Sequence, residues 1–215
     1  MRKIVLILLI SSTTFANYNN ESELTVIMNG GNTESETWNT KTINTYTKED
    51  NTYKVGGHYS YGKADKELNV RNWDINVRYE KSLTSKWSTF LASQREEDTF
   101  ASLNYRWNHD VGGAYIFIKT DKQNFHSEAG YRRTLESDFE GRKSNGSKLR
   151  IYLEYSKQQN ENLFFKLWTE LLPNLSESKD WQISFEPSLN VTISKMLTLK
   201  MAYLHKYDNS PPIDT

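Results

Sequence analysis

Apolar and polar side chains alternate with a period of two along almost the whole chain after residue 16. In residues 181–194 the odd positions are apolar and the even positions are polar, and residues 72–80 and 149–156 follow the same pattern. Successive side chains of a strand point to opposite faces, so each segment predicts a strand with one apolar and one polar face. No window of useful length has the 3.6-residue period of a helix.

The alternation predicts an all-β fold, namely an antiparallel up-and-down transmembrane β-barrel with about eleven strands present. The longest predicted strand contains Gly112 and Gly113, where we expect a bend. The predicted strands cover residues 23–30, 35–47, 52–62, 71–82, 87–96, 102–118, 124–135, 148–157, 162–172, 181–194 and 197–207.

The predicted connections alternate between short turns and longer polar loops. This layout is typical of outer-membrane barrels, which have short periplasmic turns and longer extracellular loops. The turn at 30–34 is an exception, because it is tight where a long loop is expected. The short turns are 48–52, 83–86, 119–124, 157–162 and 194–196, and the longer loops are 62–70, 97–101, 136–147, 173–180 and the residues from 208 onward.

Alternation by itself also fits a soluble periplasmic ligand-binding barrel, whose apolar face would be inside. Two features favour the membrane orientation instead. Aromatic residues recur near the ends of the apolar face, as in the girdles at lipid interfaces. They are Trp38, Tyr46, Tyr53, Tyr61, Trp73, Tyr79, Trp87, Phe125 and Tyr131.

The second feature is that the polar face carries large charged groups, which a wet lumen accommodates. We expect opposite charges to pair across this lumen, with Arg132 contacting Glu154 or Glu170. Such pairs would leave the interior mostly occluded or would line a narrow passive pore for small solutes. The predicted lumen charges are Arg78, Glu80, Arg106, Arg132, Arg150, Glu154, Lys166, Glu170, Glu186 and Lys200.

The N-terminus has the features of a secretory signal peptide. Arg2 and Lys3 precede a short apolar run at 4–10, and small residues at Thr14 and Ala16 suit signal peptidase. We therefore expect cleavage after Ala16, which leaves residues 17–215 as one barrel in the cell outer membrane. The apolar run is too short to cross a bilayer about 30 Å thick, and no later stretch predicts a transmembrane helix.

Composition narrows the function classes. The chain has 27 basic and 27 acidic residues, so its net charge of zero is unlike that of a typical nucleic-acid-binding domain. Disulfides and thiol chemistry are excluded because cysteine is absent. A mean hydropathy of −0.76 together with 13% aromatic residues suits a thin sheet that has one apolar and one polar face.

No residue pattern predicts catalysis, a cofactor or a metal centre, so we expect no enzyme activity. The four histidines, at positions 58, 109, 126 and 205, have no metal-ligand spacing, and neighbouring His126 and Ser127 would face opposite sides of a strand. An outer-membrane lipid-modifying enzyme remains an alternative, because triad members need not be close in sequence. The charge run at 95–98 predicts a solvated loop end or, alternatively, a cation site at the barrel mouth.

Several short segments resemble the YdiY-like, salt-induced outer-membrane proteins, a family of unknown molecular function. They are GGNTES at 30–35, HYSYGKAD at 58–65, WDINVRYEKSLTSKW at 73–87, REEDTF at 95–100, AGYRRT at 129–134 and YDNSPPIDT at 207–215.

The resemblance implies a twelve-stranded barrel in outer-membrane lipid, inserted by the barrel assembly machinery, without established catalytic residues. Family members continue beyond the proline-containing loop into one more strand. This chain stops at residue 215, so the resemblance leads us to expect that the C-terminal strand is missing.

Overall fold

The computed structural model describes residues 3–30, 34–194 and 197–210. Strands make up 82% of the structure, and the described residues contain no helix, hence none that could cross a membrane. The strands are β1 Lys3–Phe15, β2 Tyr18–Gly30, β3 Ser35–Lys48, β4 Asn51–Ala64, β5 Glu67–Ser82, β6 Trp87–Asp98, β7 Leu103–Lys119, β8 Gln123–Asp138, β9 Lys143–Asn160, β10 Leu163–Pro173, β11 Trp181–Ser194, β12 Leu197–Ala202 and β13 His205–Asp208.

The strands form one antiparallel sheet in chain order, from β1 to β12. β12 pairs with 188–194 of β11 and β13 pairs with 182–185, so these two short strands share one position in the sheet. The sheet therefore has twelve positions, and the predicted all-β, antiparallel up-and-down arrangement is confirmed. β7 continues through Gly112 and Gly113, where a bend was predicted.

β1 was not among the predicted strands. It covers most of the expected signal peptide and pairs with β2 along its full length, from Lys3 opposite Gly30 to Phe15 opposite Tyr18. It is the first strand in the sheet order and lies next to β2. Cleavage after Ala16 stays a prediction.

The predicted short turns at 48–52, 83–86, 119–124 and 157–162 and the longer loop at 173–180 are confirmed, whereas two other predicted long loops are wrong. The loop predicted at 62–70 is a tight turn at Asp65 and Lys66, whose φ angles of 49° and 71° suit a two-residue hairpin. The loop predicted at 136–147 is shorter in the structure and covers only 139–142, because β8 and β9 continue through polar residues. Backbone pairing needs no apolar side chains, so it extends beyond the alternating pattern. Most of the predicted 30–34 turn lies outside the described residues.

The chain divides into two compact units, each assembled from segments that are distant in sequence. Described residues of Met1–Arg78, Ser93–Trp107 and Leu135–Ser144 form the first, and those of Tyr79–Ala92, Asn108–Thr134 and Asn145–Thr215 form the second.

In the second unit, the face with Leu91, Val111 and Phe117 is exposed, whereas the opposite face contains buried Glu128 and Arg150. We call these the apolar face and the polar face.

The first unit has the same distribution of burial. Ile75 and Val77 are about half exposed, while Ser60 on the opposite face is buried. Each strand alternates, so odd positions of β5, β6 and β7 belong to the apolar face and even positions to the polar face. One part of the apolar face departs from the pattern, because Asn20 and Ser22 of β2 hydrogen-bond to Thr42 of β3 there.

Candidate functional site

Five charged side chains meet on the polar face of the second unit. Asp110 of β7, Glu128 and Arg132 of β8, Arg150 of β9 and Glu170 of β10 form this group, which we call the charge cluster. All occupy even positions on consecutive strands, which places their side chains on one face. Their side chains are between 8 and 18% exposed, so the cluster is largely buried.

The two arginines of the charge cluster bridge its three carboxylates. Arg132 donates two hydrogen bonds to Asp110, each 2.7 Å long, in a bidentate arrangement, and a third of 3.3 Å to Glu170. Arg150 donates to Glu170 at 2.6 Å and to Glu128. Bidentate arginine–carboxylate pairs fix orientation as well as distance, so the five side chains form one ordered network.

Aromatic rings border the charge cluster on the same face. The Arg150 guanidinium carbon lies 5.7 Å from the centre of the Phe90 ring and 5.1 Å from that of Tyr152. Both distances are within the range of cation–π attraction. Arg150 is thus held by carboxylates and by ring faces.

A second ionic group lies beside the charge cluster. The Lys166 ammonium is 2.8 Å from Glu154, and the Tyr152 hydroxyl donates to the same carboxylate at 2.6 Å. The predicted contact of Arg132 with Glu170 is present. The alternative contact with Glu154 is wrong, because Glu154 lies near Lys166 on the adjacent strand.

The first unit has its own ion-pair group. Arg106 of β7 lies between two carboxylates, 3.0 Å from Glu96 of β6 and 2.7 Å from Glu136 of β8. Glu136 also accepts a hydrogen bond from Ser144 at 2.8 Å. Arg106 was predicted from the sequence, whereas its two partners were not.

The remaining predicted lumen charges also occupy even strand positions. Glu80 accepts a hydrogen bond of 2.7 Å from Ser88. Lys200 lies opposite Asn190 in the β11–β12 register, and Glu186 lies opposite Trp168 in the β10–β11 register. Arg78 occupies the polar parity of β5. Whether these groups line a lumen stays a prediction.

The charge run at 95–98 does not form a single cation site. Glu96 binds Arg106, whereas Arg95 points to the other face and contacts two tryptophans. Asp98 accepts hydrogen bonds from the backbone N–H groups of the turn that follows. Because successive side chains of a strand point to opposite faces, the charged groups of residues 95–98 do not converge on one side of the sheet. Within the described residues, no group of three or more histidine and acidic side chains has a metal-binding arrangement.

A histidine, a serine and an aspartate meet on the polar face of the first unit. The Ser60 hydroxyl lies 2.8 Å from His58 Nε2, and His58 Nδ1 lies 3.4 Å from Asp74. Ser60 donates its hydrogen to Asn39 and is only 4% exposed. Sequence reasoning missed this group, although the spacing of two between His58 and Ser60 on a strand places both on one face.

The sequence prediction also missed Asp110, Glu128 and Phe90. The two carboxylates lie on the polar parity of β7 and β8, so parity could have identified them. Phe90 is an apolar residue on the polar parity of β6, and nothing in the local pattern indicates its burial beneath Arg150.

Comparison with known proteins gives one match. The model of a family described as "Protein of unknown function, DUF481" matches residues 22–215. No curated protein and no solved structure matches the chain.

Proposed function

Because the chain belongs to the DUF481 family, that of the YdiY-like salt-induced outer-membrane proteins, we propose that it is an outer-membrane β-barrel with a mostly occluded, charged lumen. The inverted distribution of side chains carries the proposal. Arg150 and Glu128 are buried, whereas Leu91 is 57% exposed. In water this arrangement would expose apolar area and desolvate charges, and both are unfavourable. In a bilayer the exposed apolar side chains contact acyl chains.

A continuous row of aromatic rings supports a lipid interface. The rings lie on the apolar face of the second unit, near the strand ends that adjoin the turns at 83–86, 119–124 and 157–162. Neighbouring ring centroids in the row are 4.7 to 6.5 Å apart. Transmembrane barrels have such girdles where hydrocarbon meets headgroups. The row consists of Trp87, Tyr115, Phe117, Phe125, Tyr155 and Phe165.

Backbone hydrogen bonding supports closure of the sheet. A strand edge exposed to hydrocarbon would leave N–H and C=O groups unpaired, at a cost of several kcal/mol for each group. We therefore propose that the sheet closes on itself in the membrane, after export and insertion by the barrel assembly machinery. Intact mass measurement of the mature protein tests export, with Asn17 as the expected first residue. A mature chain that retains residues 1–16 would instead make β1 part of the native sheet.

The charge cluster supports an occluded lumen. Barrels of eight strands are filled by side chains and barrels of sixteen to eighteen contain aqueous channels. Cleavage after Ala16 would remove β1 and leave eleven of the twelve strand positions, a number between these cases. The three carboxylates and two arginines of the charge cluster are joined across four strands, and the opposed charges stabilise a filled interior. We propose a structural or stress-related role with at most slow passage of small solutes.

Two measurements test the proposed function. After cell fractionation the protein should remain with the outer membrane until detergent is added, whereas release with the periplasm would favour a soluble barrel. In planar bilayers the wild-type protein should show no large, stable unit currents. Porin-like steps would reject the occluded lumen while retaining the membrane location.

The contact between Ser60 and His58 favours a second candidate, an outer-membrane hydrolase. A serine nucleophile must pass its hydrogen to the histidine, but here Ser60 donates to Asn39 and is almost inaccessible. We therefore prefer a structural role for this group. Reaction with a fluorophosphonate probe distinguishes the structural role from the hydrolase role. If the probe labels the wild-type protein but not Ser60→Ala, the hydrolase is supported.

A further inference from the structure

We propose that Arg95, held between Trp73 and Trp107, binds the phosphate of a lipid headgroup on the apolar face. The inference rests on the proposed membrane location. It concerns a different surface from the charge cluster, because Arg95 occupies an odd position of β6. Its neighbour Glu96 faces the other way and binds Arg106 on the polar face.

Two indole rings hold the Arg95 guanidinium. Its carbon lies 5.4 Å from the Trp73 ring centre and 5.7 Å from the Trp107 ring centre. Trp73 is on β5 and Trp107 is on β7, so the two strands on either side of β6 each contribute one ring. Stacking on aromatic faces orients the planar group and leaves its in-plane N–H donors for an acceptor.

One of those donors lacks an acceptor. Among residues 15–29, 34–194 and 198–210, the Arg95 Nε is the buried side-chain nitrogen or oxygen without a hydrogen-bond partner. An unsatisfied buried donor on a charged group is costly, and nearly all such groups in proteins find a partner. An acceptor for the Arg95 guanidinium is therefore missing within the described residues, as expected if that acceptor belongs to a ligand.

The position of Arg95 along its strand suits a headgroup ligand. Arg95 lies three positions before Asp98, the last residue of β6, which is roughly 10 Å of strand. A charged side chain facing lipid is unfavourable at the bilayer centre and tolerated near the interface. Tryptophan is enriched at that same level, so all three residues fit the region where headgroups begin.

Charge and shape together select phosphate. A phosphate group offers oxygens that can accept two parallel N–H bonds from a guanidinium edge. An amine headgroup would be repelled by Arg95. On the apolar parity near Arg95, β5 has Arg71 and β6 has Glu97, and the charges of these two residues offset each other.

The test measures lipid binding to the full mature protein in dodecyl maltoside micelles, which contain no phosphate. Native mass spectrometry compares dioleoyl phosphatidic acid with dioleoylglycerol, which has the same acyl chains without the phosphate. We expect at least a tenfold preference of the wild-type protein for phosphatidic acid. We expect Arg95→Gln to reduce that preference at least tenfold, and Arg95→Lys to have an intermediate effect because it keeps the charge without the planar donors.

The matched control is Arg71→Gln, which removes the same charge from β5 at a residue without a tryptophan contact, and it should change the preference less than twofold. Inorganic phosphate should not displace the lipid. Equal binding of the two lipids by the wild-type protein, or an unchanged preference in Arg95→Gln, would overturn the inference.

If Arg95→Gln fails to refold, the preference of the wild-type protein and of Arg95→Lys for phosphatidic acid over dioleoylglycerol still tests the inference. These outcomes leave membrane fractionation unaffected, so failure of the inference is distinguishable from failure of the proposed function.

Discussion

Phe90 lies directly over Gly112: a Cβ atom on Gly112 would lie 2.8 Å from the Phe90 Cζ atom and 2.5 Å from the Ala129 carbonyl oxygen. The backbone approach is reciprocal, because a Cβ on Gly130 would lie 2.5 Å from the Val111 carbonyl oxygen. Real Cβ atoms do not occur this close to backbone atoms. Gly112 therefore leaves the space that Phe90 occupies beneath Arg150, and Gly130 allows the β7 and β8 backbones to approach each other.

Gly112→Ala should destabilise the protein, because the added methyl group must displace either Phe90 or the β8 backbone. Overpacking of this kind costs about 1–3 kcal/mol. Urea unfolding in detergent micelles, followed by tryptophan fluorescence, measures the change. Gly113→Ala is the matched control, since its Cβ would make an ordinary 3.6 Å contact with the Ser88 carbonyl oxygen. Equal effects of the two substitutions would contradict the proposed packing.

Removal of the Arg150 charge should be among the most damaging substitutions. Arg150→Met leaves Glu128 and Glu170 largely buried without this cation, and breaking a buried ion pair in this way costs about 3–5 kcal/mol. The control is Arg142→Met, whose side chain is 62% exposed beside Asp138 and Glu140. Surface pairs contribute little, so the control should unfold near the wild-type urea concentration.

The Arg150–Glu128 contact should also appear as an energetic coupling. Glu128→Gln removes a buried negative charge that Arg150 contacts, so the double variant should be more stable than the sum of the two single effects predicts. Coupling between groups in contact is about 0.5–3 kcal/mol. The same unfolding assay on four proteins completes the cycle. Simple additivity would show that Arg150 acts through Glu170 and its ring contacts instead.

Strand parity allowed the faces to be predicted, but the ion pairs also depend on register. Glu170 lies opposite Tyr152, so Arg150 is its diagonal neighbour, two residues along β9. Lys166 lies opposite Ser156, which makes Glu154 its diagonal neighbour in the same sense. Diagonal side chains are within reach of long charged groups. The sequence does not reveal which diagonal is used, so both Glu154 and Glu170 were possible partners of Arg132. The structure pairs Arg132 with Glu170 and Glu154 with Lys166.

The ends of the strands were the least predictable part of the fold. The positive φ angles of Asp65 and Lys66 make a tight hairpin inside a polar stretch that has no Asn-Gly or Asp-Gly pair. The polar residues on both sides of this turn pair through their backbones although their side chains do not alternate with apolar ones. The hydrophobic pattern therefore does not show where the two strands end. The Arg95 contacts could not be predicted from the pattern either, because Arg95 and its two tryptophans lie on three different strands.

A charge on the apolar face tests whether that face meets lipid. Leu91 is 57% exposed and lies four positions after Trp87 of the aromatic row, which is roughly 13 Å of strand. In water Leu91→Arg would change stability by no more than about 0.5 kcal/mol. In a bilayer an arginine near the midplane costs about 2–4 kcal/mol.

Leu83→Arg is the matched control, because Leu83 is 58% exposed in the turn between β5 and β6, beyond the aromatic row. The two residues thus have the same type and exposure and differ in depth. Unfolding of both variants in phospholipid vesicles should show a large loss for position 91 and almost none for position 83. If the two losses are equal and small, the apolar face is solvated by water, and the buried charges would then need another explanation than a membrane.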